Sequence, residues 1–125
     1  MGGRVTRFEE LEAWRAAREV VNRVYSICRR PPLSRDFGLC SQCQRAAVSI
    51  MTNIAEGFER VHVAEKLQFY NIARASTGEV RSLSYVVEDN YTNVADEVIQ
   101  LRDGLHHLGR LITGLIRSTY QRHKS

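Results

Sequence analysis

The chain has 125 residues, a hydrophobic fraction of 43% and a formal net charge of +4, from 18 basic and 14 acidic side chains. This length suits one domain that buries a core without disulfides or metal, and three cysteines, an odd number, fit a reducing compartment. No apolar run is long enough to cross a bilayer and the N-terminus lacks the apolar core of a signal peptide, so we expect a cytoplasmic protein without membrane contact.

The basic residues are unusual in kind, because all of them except Lys66 and Lys124 are arginines. A guanidinium group binds phosphate and carboxylate with two parallel hydrogen bonds and stacks on aromatic rings. The bias is therefore compatible with RNA or DNA binding and with charged subunit interfaces. The alternative is a solvated surface with no such partner, since net charge alone is weak evidence for a binding partner.

The first predicted element is a helix over residues 7–29. Thr6 followed by Glu9 resembles a capping box at its start, and Pro31 and Pro32 end it, because proline lacks an amide hydrogen. Its core-facing residues recur every three or four positions, and they are Leu11, Trp14, Ala17, Val21, Val24 and Cys28.

The second predicted helix, over residues 38–58, is divided lengthwise into two chemistries. One side is apolar, and Gly57 lies close to the end of the helix. The other side carries a row of hydrogen-bonding and charged groups, which must find water or partners. This polar stripe consists of Gln42, Arg45, Ser49, Asn53, Glu56 and Arg60.

Two more helices follow, over residues 63–89 and 94–121. Thr92 or Asn93 is the expected N-cap of the last helix. The inward positions of the third helix are predicted to be Phe69, Ile72, Ala73, Ser76, Val80, Leu83 and Val87. Those of the fourth are Val98, Leu101, Leu105, Leu108, Ile112 and Leu115.

Four long helices joined by short turns predict an all-α protein. We expect an antiparallel up-down-up-down four-helix bundle that forms one domain over residues 1–125.

The run RAAVSIMTNIAEGFER, residues 45–60, resembles the signature of the bacterial four-helix-bundle proteins encoded in intervening sequences of large-subunit ribosomal RNA genes. The accessory variability determinants of diversity-generating retroelements share that fold. The similarity extends to FEELEAW at residues 8–14, to residues 32–39, and to IARASTGE at residues 72–79. Two positions depart from the family pattern: Gln44 replaces a common arginine, and Met51 replaces a common proline.

The resemblance implies a homo-oligomer, namely a pentamer of bundles around a central channel. It also implies an accessory role, because the retroelement branch associates with a reverse transcriptase and with nucleic acid.

The polar stripe has two interpretations. Arg45, Ser49, Asn53 and Glu56 could form a structural network with Ser76 and Glu79 of the third helix, or across a subunit boundary. Alternatively, they contact a ligand.

Cationic residues outside the core seam are the candidates for nucleic-acid contact. The candidate residues are Arg15, Arg18, Arg45, Arg60, Arg102, Arg110 and Arg117. The leading functional hypothesis is thus a non-enzymatic accessory protein that binds structured RNA or single-stranded nucleic acid, beside a reverse transcriptase or ribosomal RNA. The alternative is an oligomeric scaffold that recognises a protein partner and has no nucleic-acid role.

The sequence shows no set of nucleophile, base and orienting group that would form a catalytic site, so we expect no enzymatic activity and no cofactor. Cys40 and Cys43 form a C-x-x-C pair at a helix start, but both project to the apolar side. A zinc site would need two further ligands, so we predict that these cysteines pack in the core and that no metal is bound.

Overall fold

The computed structural model describes residues 4–124, and over this range the chain forms four α-helices and no β-strand. This confirms the all-α prediction; residues 1–3 and 125 of the predicted domain lie outside the described part. The helices are α1 (Glu12–Cys28), α2 (Phe37–Glu59), α3 (Val63–Asn90) and α4 (Ala95–Lys124), and short 3-10 turns span Phe8–Glu10, Leu33–Arg35 and Thr92–Val94.

The predicted start of the first helix was wrong. Glu10, not Glu9, accepts hydrogen bonds at its Oε1 from the backbone N of Thr6 (2.9 Å) and of Arg7 (3.2 Å). These bonds close a 3-10 turn, and Leu11 then adopts an extended conformation (φ −72°, ψ 129°) before α1 begins. The capping acid therefore belongs to a separate turn, Phe8–Glu10, and not to the first turn of the long helix.

The loops between helices are joined to each other by side-chain hydrogen bonds. Asp36 caps α2 by accepting from the backbone N of Leu39 at 3.2 Å, and its second oxygen accepts from the Tyr91 hydroxyl at 2.7 Å. Asn93, predicted as an N-cap, instead donates from Nδ2 to the backbone carbonyl of Pro31 at 3.0 Å. These contacts hold the α1–α2 connection against the α3–α4 connection.

The core lies between the four helices. α1 packs mainly on α2 and α4, and α3 packs on the same two helices. The predicted positions of α4 from Val98 to Ile112 are buried. Two predicted core residues of α3 are not: Ile72 is 42% exposed and Phe69 is half-buried, whereas Tyr70 is almost fully buried. Successive helical residues point about 100° apart, so burial of Ala73 turns Ile72 outward.

Gly57 lies within α2 and permits its close approach to α3. A Cβ atom at this position would lie 2.6 Å from Cε1 of Tyr70 and 3.2 Å from the backbone oxygen of Lys66. Lys66 also donates from Nζ to the carbonyl oxygens of Gly57 (3.3 Å) and Phe58 (2.7 Å), which satisfies the end of α2. The α2–α3 packing therefore depends on a missing side chain.

We expect Gly57→Ala to lower the free energy of unfolding by about 2 kcal/mol, because the new methyl group overlaps a buried ring and a backbone oxygen. Gly104→Ala is the matched control: its Cβ would meet Val20 Cγ2 at an ordinary 3.8 Å, so higher helix propensity should stabilise it by about 1 kcal/mol. Urea denaturation of both variants measures the difference, and equal stability of the two would contradict this packing account.

Candidate nucleic-acid interface

A basic groove of about 580 Å³ runs between α3 and α4. Its walls carry Arg74 and Arg81 from α3, and Arg110 and Arg117 from α4. We call these residues the basic groove. No aspartate or glutamate is among its lining residues, of which the others are Thr77, Gly78, Leu105, His106, Gly109, Thr113 and Gly114.

The spacing of these arginines follows from helix geometry. Each helix contributes two arginines seven residues apart, which places them on one face and separates them by about 10.5 Å along the axis. All four residues are exposed. Across the part of the chain that the structure describes, none of the ion pairs involves these four arginines.

Small residues keep the groove open. A Cβ atom built at Gly78, Gly109 or Gly114 would meet no other atom within 4 Å, apart from its chain neighbours and its own helix backbone. The glycines therefore are not required for helix packing here. They leave a shallow floor between the two rows of guanidinium groups, where an extended anionic ligand can approach the backbone.

Arg102, a predicted nucleic-acid ligand, is engaged inside the protein. Its guanidinium forms an ion pair with Glu88, its Nη1 donates to Ser84 Oγ at 3.2 Å, and its Cζ lies 4.1 Å from the ring centroid of Tyr85. Only 13% of the Arg102 side chain is exposed. Its positive charge is thus largely neutralised by the protein itself.

The other predicted cations lie on separate surfaces. On α1, Arg15 donates from Nε to the carbonyl oxygen of Glu9 at 2.8 Å, and Arg18 lies 5.9 Å from a ring centroid of Trp14. Arg60 forms an ion pair with Glu56 at 2.9 Å.

The basic groove unites only Arg110 and Arg117 of the predicted residues and adds Arg74 and Arg81, which the sequence reasoning missed. The seven-residue spacing that α3 shares with α4 was the available signal.

The polar stripe of α2 divides into an inner and an outer part. Ser49 Oγ lies 3.0 Å from Ser76 Oγ on α3, and Asn53 donates from Nδ2 to the carbonyl oxygen (2.8 Å) and Oγ (3.1 Å) of Ser49. The contact of Ser49 with Ser76 connects α2 to α3, and Asn53 holds Ser49 from within α2. Arg45 and Glu79 are exposed and flank a second open groove between the same helices.

An exposed apolar face lies on the other side of α3. Ile72 and Val86 are 42% and 43% exposed, and Glu79 stands midway between them at the same seven-residue spacing. Ile72 precedes Arg74 by two residues, so the two side chains point about 200° apart around the helix. This outer face of α3, defined by Ile72, Glu79 and Val86, therefore lies opposite the basic groove.

The three cysteines are free and buried, which confirms that the C-x-x-C pair packs in the core. Cys40 donates from Sγ to the carbonyl oxygen of Leu33 at 3.3 Å. Burial raises the pKa of the Cys43 thiol from 9.0 to about 11, and burial also raises the pKa of Cys28. Such thiols stay protonated at neutral pH and react slowly.

Residues 4–124 contain neither a membrane-spanning helix nor a metal-binding cluster. Among these residues no helix is long and apolar enough to cross a membrane. Over the same described range, no three His, Cys, Asp or Glu side chains come together in a geometry that could hold a metal ion.

Comparison with known proteins identifies a family for most of the chain. The sequence model of the 23S rRNA-intervening sequence proteins matches residues 9–114. This range covers α1, α2 and α3 completely and extends into α4 as far as the groove residue Gly114. No curated protein matches the chain closely enough to be named as a relative.

The raised thiol pKa predicts lower stability in alkaline solution. The pKa of Cys43 is higher in the folded protein, so its stabilising contribution is complete below about pH 9 and is lost as the pH rises towards 11. We expect the free energy of unfolding to fall across this window, and Cys43→Ala to make the fall shallower by at most about 1.4 kcal/mol per pH unit. Urea titrations at several pH values measure both slopes, and identical slopes would refute the assignment.

Proposed function

The chain belongs to the family of 23S rRNA-intervening sequence proteins, and from this premise we propose that it is a non-enzymatic accessory protein that binds RNA along the basic groove. The observation that carries the proposal is the convergence of four exposed arginines from α3 and α4 with no acidic residue among the lining side chains. The family name points to ribosomal RNA as the class of partner. Single-stranded DNA presents the same phosphates, and a reverse transcriptase remains a candidate neighbour through the resemblance of residues 45–60.

Electrostatics accounts for how the groove would bind. Each guanidinium can donate two parallel hydrogen bonds to a phosphate, and the release of counterions from the nucleic acid supplies further binding free energy. Arg74 and Arg81 form one row and Arg110 and Arg117 the other, so a strand lying in the groove meets cations on both sides. Phosphate contacts carry no base identity, and the groove therefore binds without sequence preference.

We further propose the antiparallel bundle topology. Two pairs of residues support it: Arg23 of α1 donates to Gln100 of α4, and Arg30, just after α1, forms an ion pair with Glu97. Going from Arg23 to Arg30, the partner residue on α4 changes from Gln100 to Glu97, which is closer to the start of α4. This order is the one expected when α1 and α4 run in opposite directions.

The protein, in this proposal, assembles as a homopentamer. The pentamer follows from the family resemblance, and the outer face of α3 supports self-association because it exposes Ile72 and Val86 on the same side of the helix. Arg45 and Glu79, which flank one open groove, offer opposite charges for contacts between copies. Since this face is opposite the basic groove, assembly leaves the groove accessible, and several copies add their fields.

A scaffold that binds another protein is the second candidate. Phe37 and Val61 support this candidate, because they are 79% and 84% exposed at the two ends of α2 and lie outside the basic groove. Capture of a protein partner that persists after nuclease treatment would favour this candidate. For either function we propose a cytoplasmic location, which free thiols at all three cysteines favour.

Neutralising the basic groove is expected to weaken RNA binding and its dependence on salt. The double variant Arg81→Gln with Arg110→Gln removes two phosphate ligands, so the slope of log affinity against log salt should decrease by about 1.4 for a single strand. Fluorescence anisotropy with a labelled RNA over a range of salt concentrations measures this slope.

The matched control is Arg15→Gln with Arg18→Gln, which removes the same charge from α1, away from the groove. This control should keep most of the affinity of the unmodified protein. An equal loss in the two double variants would show that net charge, and not the groove, binds RNA.

Changing the outer face of α3 is expected to dissociate the assembly. Ile72→Arg with Val86→Arg places charges on an apolar contact surface, so light scattering should report a mass near 14.3 kDa in place of about five times that value. The exposed positions tolerate the change without unfolding, which circular dichroism verifies. An unchanged particle mass would place the subunit contact elsewhere.

A further inference from the structure

We propose that Tyr85 is a stacking platform for an unpaired nucleobase at one end of the basic groove, so that the groove selects single-stranded RNA over duplex RNA. This inference rests on the proposed function, because it concerns the same groove. It assigns single-stranded RNA to the site, whereas the four arginines alone would not distinguish a single strand from a duplex.

The position of Tyr85 follows from the register of α3. It lies four residues after Arg81, hence about one helical turn further along the same face. Its neighbour on α4 is Arg102, which lies four residues before the groove residue His106. The pair formed by Tyr85 and Arg102 therefore continues the two walls of the groove by one turn.

One face of the Tyr85 ring is already covered. The Arg102 guanidinium lies 4.1 Å from the ring centroid, which is a cation–π contact. Arg102 is fixed in turn by the Glu88 carboxylate and by Ser84 Oγ, and that hydroxyl donates to the carbonyl oxygen of Arg81 at 2.6 Å. These contacts fix the guanidinium against which the Tyr85 ring packs before any ligand arrives.

The rest of the ring is available to a ligand. Tyr85 is 51% exposed although its neighbour Arg102 is largely buried, so a large part of its side chain stays open to solvent. A large aromatic side chain kept rigid and half exposed loses little conformational entropy when a planar group stacks on it. Glu88 neutralises Arg102, and the contribution of this end is therefore stacking and not phosphate attraction.

Stacking distinguishes single strands from duplexes. In an A-form duplex the bases are stacked on each other and paired, and their faces cannot reach a side chain. A single strand can lay its backbone between the two rows of arginines and turn one base against Tyr85. Stacking of this kind tolerates any base, which agrees with backbone binding that has no sequence preference.

The test compares Tyr85→Leu and Tyr85→Phe in the full-length protein. Its probes are a single-stranded RNA of about 16 nucleotides and a blunt duplex of the same length. We expect Tyr85→Leu to weaken single-strand binding about tenfold, with duplex binding and the salt slope unchanged, because no phosphate contact is lost. Tyr85→Phe keeps the aromatic face and should bind like the unmodified protein. Thermal unfolding of both variants verifies that the helices are intact.

The outcomes separate this inference from the proposed function. If Tyr85→Leu binds the single strand as tightly as Tyr85→Phe does, or weakens both probes equally, the stacking platform is refuted. The groove would still stand if the variant Arg81→Gln with Arg110→Gln loses affinity for both probes. If the unmodified protein binds neither probe at low salt, RNA binding itself is refuted.

Discussion

The burial of one side of α3 is the constraint on which the rest of this structure depends. Ala73, Val80 and Val87 recur every seven residues and pack into the core, and this fixes the rotation of the helix about its axis. Arg74 and Arg81 are then turned towards α4, and Ile72 and Val86 are turned away from it. A single hydrophobic seam thus separates a cationic surface from an apolar surface on the same helix, with no ionic interaction required to do so.

The rotation of α3 determines where positive charge is exposed on the surface. The net charge of +4 is small, and several arginines are compensated locally, as in the pairs of Arg30 with Glu97 and Arg60 with Glu56. Exposed pairs of this kind contribute little to stability, typically about 0–1 kcal/mol. These pairs instead cancel positive charge elsewhere on the surface. Uncompensated positive charge is therefore concentrated in the groove between α3 and α4, which has no acidic lining residue. The local field there is stronger than the overall composition suggests.

Small residues perform two different tasks in this bundle. Gly57 is required by packing, because the ring of Tyr70 occupies the space that a side chain would fill. Gly78, Gly109 and Gly114 face open space, where they weaken their helices but keep the groove shallow and open. The same residue type therefore serves stability at the α2–α3 crossing and access at the α3–α4 groove, and only the surroundings tell the two uses apart.

Periodicity in the sequence determined the number of helices, most of their bounds and most of the core, because apolar residues three and four apart must share a buried face. The buried row from Val98 to Ile112 could be predicted for that reason. The contact of Ser49 with Ser76 agrees with one of the two interpretations that the polar stripe allowed. Local pattern could not decide that Asn93 bonds to Pro31, since this bond depends on where two distant loops meet. It also could not choose between the neighbouring acids Glu9 and Glu10 as the partner of Thr6. The seven-residue spacing of Arg74 and Arg81 is visible in the sequence, but it could not show that they face Arg110 and Arg117 while Arg102 pairs with Glu88. Which arginines converge and which are neutralised by a neighbouring acid is decided by the packing of one helix on another, and that exists only in the tertiary structure.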